Sequence, residues 1–293
     1  MGSITSGVIA SSSEAVVCIS VAGERPVKVD PDCQLGELLR DWRAQRGKSQ
    51  LDTALAADMS QRHLSFIESG RSVPGRDKLL AVAEALDVPL RERNALLLAA
   101  GYAPLYSEQS WDAPQMRSIT AAVERMLKQQ EPYPAVLLDR HWNVLAVNDA
   151  APRFFGRFVN LFHWPKPRNL LRLTFDPTGL RPFIHDWDQV ARSLLERVRQ
   201  EAVGRVLDRA GLQLIETLLA YPGAPVAASN PDGAHLPMIP IGFIKGGEIL
   251  RYFSMVTTVG APTTIAAQEL RIECLFPADE ATERAHLALM EAA

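Results

Sequence analysis

From Leu35 to about Ala100 apolar residues recur at intervals of three and four, the spacing that gives a helix one buried face. The pattern breaks at Gly47, at Asp58-Met59-Ser60, between Gly70 and Gly75, and at Asp87-Val88-Pro89, so it predicts five short helices. Ahead of it, residues 1–34 mix Ser and Gly with short β-branched stretches, a composition with little to bury, and read as a flexible arm. The arm ends in a helix-start signal at Asp30-Pro31-Asp32. Gly101-Tyr102-Ala103-Pro104 closes the helical run, which assigns 35–106 to one all-α domain and 107–114 to a linker.

The remainder, 115–293, has a different rhythm. Met116, Ile119, Val123, Met126 and Leu127 lie at helical spacing and the segment stops at Glu131-Pro132-Tyr133-Pro134. Two short apolar runs, 135–139 and 144–147, flank the turn Arg140-His141-Trp142-Asn143, and Asn148 can cap a helix from Asp149 to Phe158. Further helices fit Asp186 to Val203 and about Val206 to Ala220. The last third reads as β. Residues 239–245 and 248–258 surround Gly246-Gly247, a pair suited to a two-residue hairpin loop because both residues need positive φ. Residues 269–275 alternate with period two, which places Leu270, Ile272 and Cys274 on the inward face of a half-buried strand. The second domain is therefore expected to be α+β, an antiparallel sheet covered by helices.

The 293 residues suffice for two such cores, and 47% apolar with 22% charged residues is an ordinary globular balance. A net charge of −3 excludes a wholly basic surface, so any contact with nucleic acid must be local. No apolar run approaches the roughly 18 residues that span a bilayer and no secretory leader pattern opens the chain, so a cytoplasmic protein with no membrane partner is expected. Met1-Gly2-Ser3-Ile4-Thr5-Ser6 fits the loose myristoylation pattern but is read as tail. Cys18, Cys33 and Cys274 are odd in number and unrelated in spacing, which suits a reducing compartment without a thiolate metal site.

The sharpest chemistry lies between Ser49 and Pro74. Ser49 can cap a helix from Gln50 to Ala57 and Ser60 a second from Gln61 to Ser69, ended by Gly70; two short helices across a tight turn make a helix-turn-helix. At about 100° per residue Leu64 and Ile67 face one way while Arg62, Ser65, Phe66 and Ser69 face the other. Outward Arg62 can bind guanine, Gln61 can pair with adenine, and Phe66 can pack on a thymine methyl, which makes Gln61, Arg62, Ser65 and Phe66 the base-reading candidates. Ser49, Gln50, Ser69, Arg71 and Arg76 are candidates for the phosphate backbone. Arg40, Arg43 and Arg46 add local charge, yet residues 32–107 hold ten basic and ten acidic side chains, so affinity rests on placement.

Gln50-Leu51-Asp52 through Arg62-His63-Leu64-Ser65-Phe66-Ile67-Glu68-Ser69-Gly70-Arg71, with Leu90-Arg91-Glu92-Arg93-Asn94 beyond, resembles the Xre-type, phage-repressor-like helix-turn-helix regulators, specifically their MmyB-like branch. The resemblance implies that Gln61 to Ser69 is the recognition helix and that Arg43 pairs with Glu68. It departs at Asp58, where the family usually has glycine; a left-handed residue there costs Asp something.

The second half is similar to the PAS-like ligand-binding domain of the same branch, through Asp139-Arg140-His141-Trp142-Asn143, Asn148-Asp149-Ala150, Thr257-Thr258-Val259-Gly260 and Glu269-Leu270-Arg271-Ile272-Glu273. That resemblance implies a small apolar or fatty-acid-like ligand. A pool for its chamber is Trp142, Phe154, Phe155, Phe158, Trp187, Tyr252 and Phe253, with Arg172 or Arg251 to meet a carboxylate. The histidines lack metal spacing, so no metal or cofactor is expected, and nucleophile-elbow, dinucleotide and P-loop motifs are missing, so neither is an enzyme. The expected function is a sequence-specific transcription regulator on double-stranded DNA, acting as a homodimer. The alternative is an adaptor whose helical domain binds a partner protein.

Overall fold

In the computed structural model, residues 31–203, 208–225 and 240–291 are described. The N-terminal region holds the five predicted helices: α1 (Pro31–Gln45), α2 (Gln50–Ala56), α3 (Gln61–Glu68), α4 (Arg76–Ala85) and α5 (Leu90–Ala99). Of the expected arm, residues 31–34 already belong to α1 and the rest lies outside the described residues. Local chemistry sets the helix starts. Ser49 and Asp52 form a reciprocal capping box on α2, and the Ser60 hydroxyl accepts from His63 N on α3. Asp58 takes the left-handed turn position at φ 49°, its carbonyl accepting from Lys78 Nζ at 2.7 Å. Trp42, Leu64, Ile67, Leu79, Leu86 and Leu97 share one buried core. Gly36 lets α1 lie against the end of α3, since a Cβ there would sit 2.3 Å from the Glu68 carbonyl oxygen.

The segment past α5 is pinned rather than a free tether. Buried Asn94 accepts from Leu105 N and Tyr106 N at 2.9 and 3.0 Å and donates to Tyr106 O at 2.8 Å. Ser107 O then accepts from Ile265 N, tying this stretch to the second region.

That region contains α6 (Arg117–Gln129), β1 (Ala135–Leu138), β2 (Val144–Val147), α7 (Ala150–Phe155), α8 (Leu170–Phe175), β3 (Ile184–His185), α9 (Trp187–Val203), α10 (Arg209–Leu219), β4 (Pro240–Lys245), β5 (Glu248–Thr258), α11 (Ile265–Glu269), β6 (Arg271–Pro277) and α12 (Glu280–Glu291). The strands form one antiparallel sheet in the order β2-β1-β6-β5-β4-β3. The β4–β5 hairpin turns through Gly246 and Gly247 at φ 60° and 87°, and Asn148 Oδ1 accepts from Ala151 N at the start of α7.

Three features depart from the sequence reading. The last third is not purely β, because α11 and α12 interrupt and follow its strands. Helix α8 and strand β3 are too short for periodicity to declare them. Most consequentially, β6 is buried on both faces. Leu270, Ile272 and Cys274 join the core beneath α6 and α11 as expected, but Arg271 and Glu273, placed on the solvent face by the alternation, are each 8% exposed. Helix α9 covers them: Arg197 Nη2 lies 2.6 Å from Glu273, and Arg271 Nη1 lies 2.7 Å from Glu201.

Candidate nucleic-acid interface

Helix α3 divides cleanly by face. Leu64 and Ile67 are sealed in the core, while Gln61, Arg62 and Ser69 are exposed and Ser65 and Phe66 half-buried. The guanidinium carbons of Arg62 and Arg71 lie 5.3 and 5.9 Å from the Phe66 ring centroid, a cation–π arrangement that holds two positive charges beside one apolar surface. The Arg71 and Ser72 amides donate to Phe66 O, and Ser69 Oγ donates to the same carbonyl at 3.2 Å, so the chain leaving α3 folds back over it. Arg76 is exposed at the start of α4.

Behind this face Arg43 Nε and Nη2 donate to the two Glu68 carboxylate oxygens at 2.8 and 3.1 Å, clamping α1 to α3. The Glu68 hydrogen bond, with its charge, raises the Arg43 pKa against the lowering effect of burial. Gln50 Nε2 also donates to Glu68, at 2.8 Å, so this side chain serves the clamp first and has one amide hydrogen left over. Ser49 caps α2 as expected, and its hydroxyl and amide are both engaged by Asp52 in the capping box. Arg46 is used internally, donating to Leu86 O and Asp87 O at the end of α4. The exposed cations beside α3 are thus Arg62, Arg71 and Arg76, none with an ion-pair partner among the described residues.

The aromatic pool does not converge on one chamber. Phe154, Phe155, Phe158 and Tyr252 pack edge-to-face or tilted against Phe243 and one another and fill the space between sheet and helices. Phe253 stacks on Phe276, and Trp187 packs on Phe175. Phe155 also lines an apolar groove of about 390 Å³ with Val136, Val144, Leu161 and Leu173, rimmed by Lys166 and Arg168. Trp142 lines a smaller, polar cavity of about 240 Å³, and Arg172 a third, of about 570 Å³. Arg251 is exposed and lines none of these three.

Sequence reasoning missed the joint between the two regions. Arg91 Nε and Nη2 grip Glu269 at 2.8 and 3.0 Å, Arg91 Nη1 reaches Glu108 at 2.9 Å, and Leu90 N donates to Gln268 Oε1 at 2.7 Å. Arg140 lies 3.5 Å from Glu92, 3.4 Å from Glu269 and 3.6 Å from Asp208, whose Oδ1 also meets His141 Nε2 at 3.0 Å. Burial pushes the Asp208 carboxyl up, but hydrogen bonds from His141 and Gly211 N and the nearby Arg140 charge outweigh it and bring it down to about 2. The available signal was a helix with Glu92 and Asn94 set among leucines that had to be buried.

A helical domain with a polar, cationic recognition-helix face, tied to a helix-covered antiparallel sheet, defines a helix-turn-helix protein with a PAS-like second domain. Residues 39–93 match the family model described as helix-turn-helix, and residues 119–289, more than half of the chain, match the MmyB-like transcription regulator ligand binding domain. The chain belongs to this family and is an MmyB-like helix-turn-helix transcription regulator. Both matched families are regulatory and neither is enzymatic. No curated protein matches the chain. One solved structure, described as an RNA-binding light-oxygen-voltage receptor, aligns at 10% identity and a TM-score of 0.30, covering 89% of this chain and 62% of its own. The chain thus spans less than two thirds of that structure's length, and neither shared fold nor shared function follows at that score. No helix among the described residues is long and apolar enough to cross a membrane.

Proposed function

We propose that the protein is a cytoplasmic, sequence-specific regulator that binds double-stranded DNA as a homodimer. Residues 35–106 would bind DNA, 107–114 would connect, and 115–293 would respond to ligand. The observation that carries the reading is the α3 face, where exposed Gln61 and Arg62 stand beside Phe66 and Arg71 while Leu64 and Ile67 anchor the opposite side. Seated in a major groove, that face offers Arg62 to guanine, Gln61 to adenine, Phe66 to a thymine methyl, and Ser65 to either base edge. Ser69, Arg71 and Arg76, with the α2 start at Ser49 and Gln50, meet phosphates and set register. Two copies on a palindromic site add their binding free energies. Selection of bound fragments from random duplex DNA tests this: a two-fold symmetric site should emerge, and no enrichment over input DNA overturns the reading.

The ligand is a small apolar or fatty-acid-like molecule. The groove beside Phe155 supports it by size and lining; Lys166 and Arg168 at its rim can meet a carboxylate, and Arg172 lines the adjoining cavity, which shares Lys166 and Asn169 with the groove. Its effect on DNA requires different affinity for DNA-competent and incompetent states. Titrating operator affinity with and without saturating myristate checks this, and identical affinities reject the sensor role.

One observation favours the adaptor alternative: Leu51 and Leu55 stand 49% and 69% exposed on the outer side of α2. Salt separates the two readings. Phosphate contacts make log affinity fall linearly with log salt, whereas an apolar protein contact is nearly indifferent to salt.

A further inference from the structure

Two arginines of this chain show what a filled guanidinium fork looks like. Arg43 and Arg91 each present Nε and Nη2 to both oxygens of a carboxylate, Glu68 and Glu269 respectively. Arg271 on β6 has the same fork, but its Nε and Nη2 are buried and find no hydrogen-bond partner among the described residues. Its remaining nitrogen, Nη1, is held by Glu201 Oε2 at 2.7 Å. Glu273, two residues along the same strand face, lies 2.6 Å from Arg197 Nη2, yet its Oε1 is likewise buried without a hydrogen bond and does not satisfy the Arg271 fork. A buried cation with its best acceptor edge empty is costly unless something fills that edge.

Arg271 lines the polar cavity of about 240 Å³ together with Trp142, Val198, Leu214 and Val256. Trp142 fixes the guanidinium plane: the Arg271 Cζ lies 4.0 Å and the Arg197 Cζ 4.6 Å from its ring centroid, and its Nε1 donates to Glu201 at 3.1 Å. A guanidinium stacked on a ring recognises its acceptor edge-on, in its own plane. The three arginines of the cavity wall meet Glu201, Asp208 and Glu269 within it and Glu92 and Glu273 behind it, so an entering anion is held by the Arg271 fork and not by the net charge of the wall. The size suits a compact body of roughly ten heavy atoms, judged against the volume of a water molecule.

We propose that this cavity is a second ligand site, distinct from the apolar groove, for a compact monocarboxylate. The carboxylate fills the Arg271 fork and a short apolar body lies against Trp142, Val198 and Leu214. The fork nitrogens are closed to solvent in the described state, so the ligand reaches them through a side-chain shift at the wall, a common adjustment on binding. The same wall carries Arg140, Gln268 and Glu269, which join the sheet domain to Glu92, Leu90 and Arg91 of α5. An occupant is therefore adjacent to the joint with the DNA-binding domain; any effect on DNA rests on the regulator reading above, while the site itself does not.

The test is calorimetry on the full chain at constant ionic strength, with acetate, butyrate and benzoate against acetamide, butyramide and benzamide. At least one carboxylate should bind ten or more times tighter than its amide. Arg271→Lys, which keeps the charge and loses the fork, should weaken that carboxylate at least tenfold. Val256→Trp, at a half-exposed position of the wall, should block it while leaving Arg271 in place, and decides the matter if the lysine variant does not fold. Equal binding of acids and amides, no binding of any acid, or wild-type carboxylate affinity in the folded variants overturns the site. Failure here with intact DNA binding removes the cavity proposal alone; loss of DNA binding by the wild-type chain removes the regulator reading.

Discussion

Arg62 and Arg71 share one aromatic ring, yet in the proposed complex the first would read a base and the second a phosphate. Arg62→Ala is expected to relax preference at one or two base pairs, at about 1–3 kcal/mol on the cognate site, while Arg71→Ala weakens all sequences alike and reduces the salt slope by about one. Competition binding over a panel of single-base variants at several salt concentrations separates the two. A different residue sets the response to pH. His286 is fully buried, with Nε2 3.0 Å from Pro132 O and Nδ1 2.8 Å from the Tyr252 hydroxyl. A carbonyl can only accept, so Nε2 carries a proton, and in the neutral imidazole Nδ1 accepts from the tyrosine. Burial holds the His286 pKa below its usual value, with the Pro132 carbonyl opposing the shift in part. The unfolded chain thus binds more protons at this site. Its stabilising contribution is complete above about pH 6.5 and declines below it, with a slope approaching about 1.4 kcal/mol per pH unit. Urea midpoints measured at pH 7.5 and 5.5 should show the decline, and His286→Gln should flatten it; equal pH dependence in both proteins counts against this account.

At the scale of elements, the recognition helix is held by its back rather than by its own propensity, since α3 is only eight residues long. The close approach of α1 at Gly36 and the Arg43–Glu68 pair are what orient it. Gly36→Ala drives a methyl into the Glu68 carbonyl and should cost about 1–3 kcal/mol in a denaturant titration, with DNA affinity falling as α3 tilts. The turn before α3 offers the opposite change. Asp58 sits at φ 49° with an exposed side chain, so Asp58→Gly should stabilise the domain by about 0.5–1 kcal/mol while the Lys78 bond to its carbonyl remains. A lower denaturation midpoint in that variant would show that the Lys78–Asp58 charge contact outweighs the backbone strain.

For the molecule as a whole, the decisive feature is that the helix-turn-helix and the sheet domain are joined by ion pairs rather than by a slack linker. Arg91, Arg140 and Glu269 lie away from the α3 face and join the helical domain to the sheet domain. A double-mutant cycle on Arg91→Ala and Glu269→Ala should return a coupling of about 1–2 kcal/mol, and the double variant should unfold in two transitions where the wild type unfolds in one. Calorimetric unfolding of the four proteins checks both expectations. Additive effects with a single transition throughout would mean that the pair contributes nothing to communication.

The five helices, the turn at Asp58, the capping serines and the Gly246-Gly247 hairpin were all readable from residue order, because each depends on neighbours within a few positions. The polar face of α3 was readable for the same reason. Period-two alternation around Ile272 correctly grouped one face of β6 but sent Arg271 and Glu273 to solvent, since nothing local reports that α9 arrives to cover them. Likewise Gln50 and Ser49 carry the right chemistry for phosphate, yet their first partners are Glu68 and Asp52. Local order thus determined the helices of the N-terminal domain and which way the recognition helix presents its residues. Tertiary packing decided which charges are buried, which cavities remain and how the two domains touch, because burial depends on surfaces contributed by residues far away in the chain.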